Sequence, residues 1–94
     1  MEMNIQKYMS FVKTVEYGSF TKASEILNYS QSGISRMIGD LEKEWNMCLL
    51  ERDHSGVKLT SDGLRILPFA KKICDDFERL QIEIDSLNDL SSGI

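Results

Sequence analysis

The sequence predicts a mainly α-helical fold: a three-helix head closed by a short β-hairpin, then one long helix. Three observations carry this reading. Residues 19–45 contain two stretches with an apolar residue every third or fourth position, separated by a polar break. Two short β-prone runs, 49–52 and 57–59, flank a turn that contains Gly56. From Ile66 onward apolar residues recur by alternating fours and threes for about three heptads.

The elements follow in order. Ile5, Tyr8, Phe11, Val12 and Val15 give one apolar face to a helix over about 4–17, and Gly18 supplies the backbone freedom that ends it. Ser19 is placed to cap the next helix, in which Phe20, Ala23, Ile26 and Leu27 form the apolar face. The break at 28–30 combines Asn28, which tolerates positive φ, with Ser30 as a second cap. Tyr29 and Ile34 stand at the two positions of a hydrophobic staple. In the helix that follows, Ile34, Ile38, Leu41 and Trp45 make a buried stripe. The opposite face carries Gln31, Ser32, Ser35, Arg36 and Gly39. Two helices about a tight turn, the second with a short polar face, form a helix-turn-helix, whose second helix suits the DNA major groove.

Asn46 stands where a left-handed helix end is needed, and the turn 53–56 joins the two strands of the hairpin. Thr60 is placed to cap the last helix, over about 61–88, in which Pro68 deletes one backbone hydrogen bond. Such a helix is about 40 Å long and cannot bury its whole apolar side against so small a head. Its seam of Ile66, Ala70, Ile73, Phe77, Leu80, Ile84 and Leu87 therefore calls for a partner, most simply a second copy. The acidic Asp75, Asp76, Glu78, Glu83 and Asp85 are expected on the solvated outer side. The organisation that results is a head over 1–60, a linker or dimerisation helix over 61–90, and a terminal stretch over 91–94.

The stretches GSFTKASEIL, YSQSGISRMIGDLEKEW, LLER, GVKLT and DG, in this order and spacing, resemble the N-terminal DNA-binding domain of LysR-type bacterial transcriptional regulators. The resemblance covers about 5–77. It implies a winged helix-turn-helix and a linker helix that forms a homodimer; members of the family normally carry an effector-sensing domain after these, absent from these 94 residues, with which a tetramer can form. The partner it implies is double-stranded DNA with a partly palindromic operator. The recognition helix, about 31–45, would lie in the major groove, and the wing, 49–59, near the minor groove. Relatives commonly have proline and alanine where this chain has Ser32 and Gly33, glycine where it has Asn46, and a basic residue near Ser55.

Gln31, Ser32, Ser35 and Arg36 are the expected base-reading set. Glutamine pairs with adenine and arginine with guanine through two hydrogen bonds each. Ser19, Thr21, Lys22 and Ser30 suit phosphate contacts, which position a protein without carrying sequence information. Arg52, His54 and Lys58 are the positive or potentially positive groups of the wing.

Bulk composition bounds these expectations. Ninety-four residues make one small domain with a modest core. No apolar run approaches the roughly 18 residues of a membrane span, and no charged-then-apolar leader opens the chain. We therefore expect a cytoplasmic protein with no membrane association. Cys48 and Cys74 lack metal-ligand spacing and there is one histidine, so reduced thiols, no metal and no cofactor are expected. The single His lies on a turn and no phosphate-binding glycine loop is present, which argues against an enzyme. The net charge of −4 runs against a DNA-binding chain, but it is unevenly spread. Residues 1–72 hold ten basic and nine acidic side chains; residues 73–94 hold one and six. The acid balance favours a rival reading as a protein-interaction module. The polar set gathered on one helix face favours DNA.

Overall fold

The computed structural model describes residues 4–54 and 56–92. The wing-tip residue Ser55 and the terminal residues 93–94 lie outside the described residues, as do 1–3. Four helices and a two-stranded antiparallel sheet follow in the order α1 (Ile5–Tyr17), α2 (Phe20–Leu27), α3 (Gln31–Trp45), β1 (Leu50–Asp53), β2 (Gly56–Leu59) and α4 (Ser61–Ser92).

Each helix boundary has a local cause. Asn4 caps α1 through a bond from the Gln6 amide, and Gly18 ends it at φ 64°. Ser19 caps α2, and Asn28 closes it in the left-handed region at φ 61°. Ser30 caps α3, and Asn46 closes it at φ 52°. Both asparagines thus occupy a conformation that costs most L-residues about 1–2 kcal/mol. Thr60 begins α4 twice over: its Oγ1 accepts from the Gly63 amide at 2.9 Å and donates to the Cys48 carbonyl at 2.6 Å.

The core lies where α1, α3 and the start of α4 meet. Phe11, Ile34, Ile38, Leu41 and Leu49 are fully buried there. The Tyr8 and Trp45 rings pack 5.5 Å apart, joining α1 to the end of α3. Leu49 is part of this core and not of the hairpin. Its amide donates to Glu42 Oε2 at 2.7 Å, and its carbonyl accepts from the Thr60 amide at 3.0 Å. The first strand therefore starts one residue later than expected, and the second one residue earlier. Asp53 pairs with Gly56 as the last pair of the ladder. Gly63 is buried against the same carbonyl; a Cβ at this position would collide with Leu49 O.

Further sequence expectations are corrected. Ile26 is 49% exposed, so α2 buries Ala23 and part of Phe20 and Leu27 instead. Ala70, expected in the seam, is covered by the chain's own head, as is Cys74 one turn on; Ile66 and Phe77 are partly covered there too. The head needs one face of α4, and these positions lie on it. Glu78 is exposed, and its carboxylate also lies 3.8 Å from Lys13 of α1. Of the large apolar residues left exposed on α4, Phe69, Ile73, Leu80, Ile84 and Leu87 form one stripe, while Leu64 and Ile82 lie on the other side of the helix. The helix also runs through residues 91–92, past the expected end. No helix among the described residues is long and apolar enough to cross a membrane.

Candidate nucleic-acid interface

The inward pull of Ile34, Ile38 and Leu41 sets the direction of everything else on α3. Gln31, Ser32 and Arg36 are exposed as a result, while Ser35 is partly covered. At the start of the helix, Ser30 Oγ accepts from the Gly33 amide at 3.0 Å and lies 3.2 Å from Ser32 Oγ. A Cβ on Gly33 would stand 3.1 Å from Ser30 Oγ, so glycine leaves room for the cap. Ser19 caps α2 by accepting from the Lys22 amide at 3.2 Å, which leaves Thr21 and Lys22 exposed on the first turn. Both helix N-termini thus reach the surface, and a first helical turn has amides without intrahelical partners, a setting that favours anions.

The hairpin adds a third edge. A cleft of about 310 Å³ is lined by Ser19 and Thr21 of the α2 start, Gln31 of α3 and Arg52 of β1. Four of the expected contact residues, up to 33 positions apart in sequence, therefore surround one concavity. Arg52 Nη1 donates to Ser35 Oγ at 2.7 Å, and its guanidinium carbon lies 4.9 Å from the Phe20 ring centre. The other wing candidates do not join it. Lys58 pairs across the ladder with Glu51, and Arg52 with Val57. Neighbouring positions of a strand point to opposite faces, so Lys58 and Arg52 are on opposite sides of the hairpin. His54 is exposed in the turn beyond both. Asp53 also lines the cleft and weakens its positive potential.

The ion pairs recorded among the described residues lie away from this surface. Lys7 meets Glu44 at 2.6 Å, and Lys72 meets Asp76 at 3.3 Å. Lys13 sits between Glu16 at 3.5 Å and Glu78 at 3.8 Å. Burial lowers the Lys13 pKa, but these two carboxylates outweigh it and the net direction is upward, so Lys13 stays charged. Lys22, Arg36, Arg52 and Lys58 take no part in these pairs. Residues 1–60 hold seven basic and eight acidic side chains, so the head is close to neutral, and these four cations lie outside those ion pairs.

Sequence reasoning missed Phe20 as a seat for the Arg52 guanidinium and Glu42 as the anchor of the wing. Phe20 was legible only as an apolar position of α2. Glu42 accepts from the Leu49 and Leu50 amides at 2.7 and 3.3 Å, and nothing local distinguishes it from the surface acids around it. Among the described residues no three His, Cys, Asp or Glu side chains converge on a metal position.

Comparison with known proteins agrees with this geometry. Residues 5–64 match the family described as "Bacterial regulatory helix-turn-helix protein, lysR family". The nitrogen assimilation regulatory protein nac of Escherichia coli K12 is 34% identical over 91 residues, covering 97% of this chain and 30% of that protein. The SDS degradation transcriptional activation protein of a Pseudomonas species is 33% identical, covering 96% of this chain and 29% of that protein. The chain thus spans about a third or less of the length of these relatives. Among solved structures, the BenM_DBD/catB site 1 DNA complex is 32% identical with a TM-score of 0.80, covering 92% of this chain and 97% of that one. With a family match over residues 5–64 and a shared fold, this chain belongs to the lysR family of bacterial regulatory helix-turn-helix proteins.

Proposed function

We propose that this chain is the double-stranded-DNA-binding part of a bacterial transcriptional regulator, acting in the cytoplasm as a homodimer and not as an enzyme. One observation carries the reading: Ser19, Thr21, Gln31 and Arg52 surround a single cleft beside the exposed Arg36, at two helix N-termini. In this reading α3 enters the major groove, where Gln31, Ser32, Ser35 and Arg36 meet base edges. Thr21, Lys22 and the capped helix ends meet phosphates, and the hairpin lies toward the minor groove. Relatives named as regulators, and a structural neighbour titled as a DNA complex, support it.

The dimer rests on α4. Its exposed stripe continues into an apolar cleft of about 480 Å³ lined by Trp45, Met47, Phe69 and Ile73. The helix is also charged unevenly: Arg65, Lys71 and Lys72 against Asp62 in its first part, then six acids against Arg79. Side-by-side copies in the same direction would set acid against acid. Opposite directions set each acidic half beside the other copy's basic half and carry Ile84 and Leu87 toward the Trp45 cleft. We therefore favour antiparallel pairing.

The test is selection from a randomised duplex library with the full chain, followed by a salt titration on the recovered sequence. Enrichment of a partly palindromic sequence, with log affinity falling linearly against log salt, is expected. Absence of any enriched sequence would overturn the reading.

A further inference from the structure

The wing delivers Arg52 into the reading surface. Its bond to Ser35 and its seat on the Phe20 ring join β1, the first turn of α2 and the second turn of α3. We propose that Arg52 is a positioning residue for base reading: it holds the Ser35 hydroxyl as a hydrogen-bond donor and so makes α3 prefer guanine or thymine over cytosine at the base Ser35 meets. This rests on the DNA-binding reading above.

The chemistry is one of donor count. A guanidinium has only donors, so the Ser35 oxygen must accept from it. The hydroxyl proton then points away from the cation. Its outlet within the helix would be the Gln31 carbonyl, and no such bond is recorded among the described residues. A cation bonded to the oxygen also withdraws density from it, making the hydroxyl a stronger donor and a weaker acceptor. In the major groove guanine presents O6 and N7 and thymine presents O4, all acceptors, whereas cytosine presents the N4 amino donor. Arginine does not lose its proton in proteins, so the arrangement holds at any physiological pH. A guanidinium carries five N–H donors, which leaves Arg52 able to meet a phosphate as well. Affinity alone therefore cannot test the idea; base preference can.

The full chain is used with duplexes selected from a randomised library. The base Ser35 meets is the position whose preference disappears in Ser35→Ala. Affinity is then compared on the best duplex and on one with cytosine at that base. The unaltered chain should discriminate by roughly three- to tenfold, the range of one hydrogen bond. Arg52→Met should lose that discrimination at the same base, and the double variant should lose no more than Ser35→Ala. Arg52→Lys keeps the charge but lacks the planar fork that rests on a ring, so it should retain general affinity with weakened discrimination. Thermal unfolding checks that each variant is folded. A uniform loss in Arg52→Met with discrimination intact would reduce Arg52 to a phosphate contact and overturn the proposal while leaving DNA binding standing. Cytosine preferred at that base, or Ser35→Ala without effect on any base, would overturn it as well. Failure of the unaltered chain to enrich any duplex would instead remove the reading beneath it.

Discussion

Arg36 and Lys22 are both exposed cations, with different work in the proposed reading. In that reading Arg36, in the second turn of α3, reaches base edges and Lys22, in the first turn of α2, meets phosphates. Arg36→Ala is expected to cost about 1–3 kcal/mol on the selected duplex and to relax preference at one base pair. Lys22→Ala should weaken all duplexes nearly equally and reduce the salt slope. Competition binding against random DNA separates the two, and an equal loss for Arg36→Ala on both would place Arg36 on the backbone. Gly63 shows a different residue-scale constraint. Its Cα lies against the Leu49 carbonyl, so Gly63→Ala forces apart the start of α4 and the segment before the wing. We expect a loss of about 1–3 kcal/mol in urea unfolding, although alanine ordinarily favours a helix over glycine.

At the scale of elements, α4 has two roles along one length. Its first turns close the head through Ala70 and Cys74, and its later turns carry apolar side chains away from it. Burial pushes the Cys74 thiol up to about 11 from an ordinary value of 9.0. The folded chain thus holds this proton more tightly than the unfolded chain. The corresponding stability is complete below about pH 9 and is lost as pH rises toward 11. Cys48, by contrast, is exposed. A thiol reagent at about pH 8, near the ordinary thiol range, should therefore label the folded chain once, at Cys48, and label Cys74 only as fast as α4 leaves the head. Mass spectrometry of native and denatured samples counts the adducts; two rapid additions to the folded chain would contradict this packing.

For the whole molecule, DNA affinity and pairing are expected to be linked. One head has nearly balanced charge, so in the proposed reading tight binding depends on a second head held at high effective concentration. Leu80 is 53% exposed and stands in the middle of the stripe. Leu80→Asp would bury an unpaired carboxylate in the dimer, at a cost of several kcal/mol. The expected product is a monomer by sedimentation with a folded head and operator affinity lower by about tenfold or more, which is roughly 1.4 kcal/mol. Trp45, the single tryptophan, gives a second readout because it lines the cleft at the end of the stripe. Its emission should shift to the blue as the protein dimerises with concentration, and Leu80→Asp should abolish the shift. A monomeric variant that binds as tightly as before would refute the two-headed mechanism.

The sequence by itself determined the helices, their caps and the polar face of α3, because those depend on interactions within about four residues. Ser19, Asn28, Ser30, Asn46 and Thr60 each act on amides or dihedrals next to them, and each is found doing so. The stripe of Ile34, Ile38 and Leu41 likewise dictated which α3 residues face outward. Only the tertiary structure decided how the apolar surface of α4 is divided. Its apolar residues span more of the helix than one seam, and the position of the head selects Ala70 and Cys74 for the core while leaving Phe69 and Leu80 outside. The meeting of Arg52 with Ser35 and Phe20 was equally hidden from the sequence. It spans 17 and 32 positions and depends on hairpin register, which turns Arg52 inward and Lys58 outward by the alternation of a single strand residue.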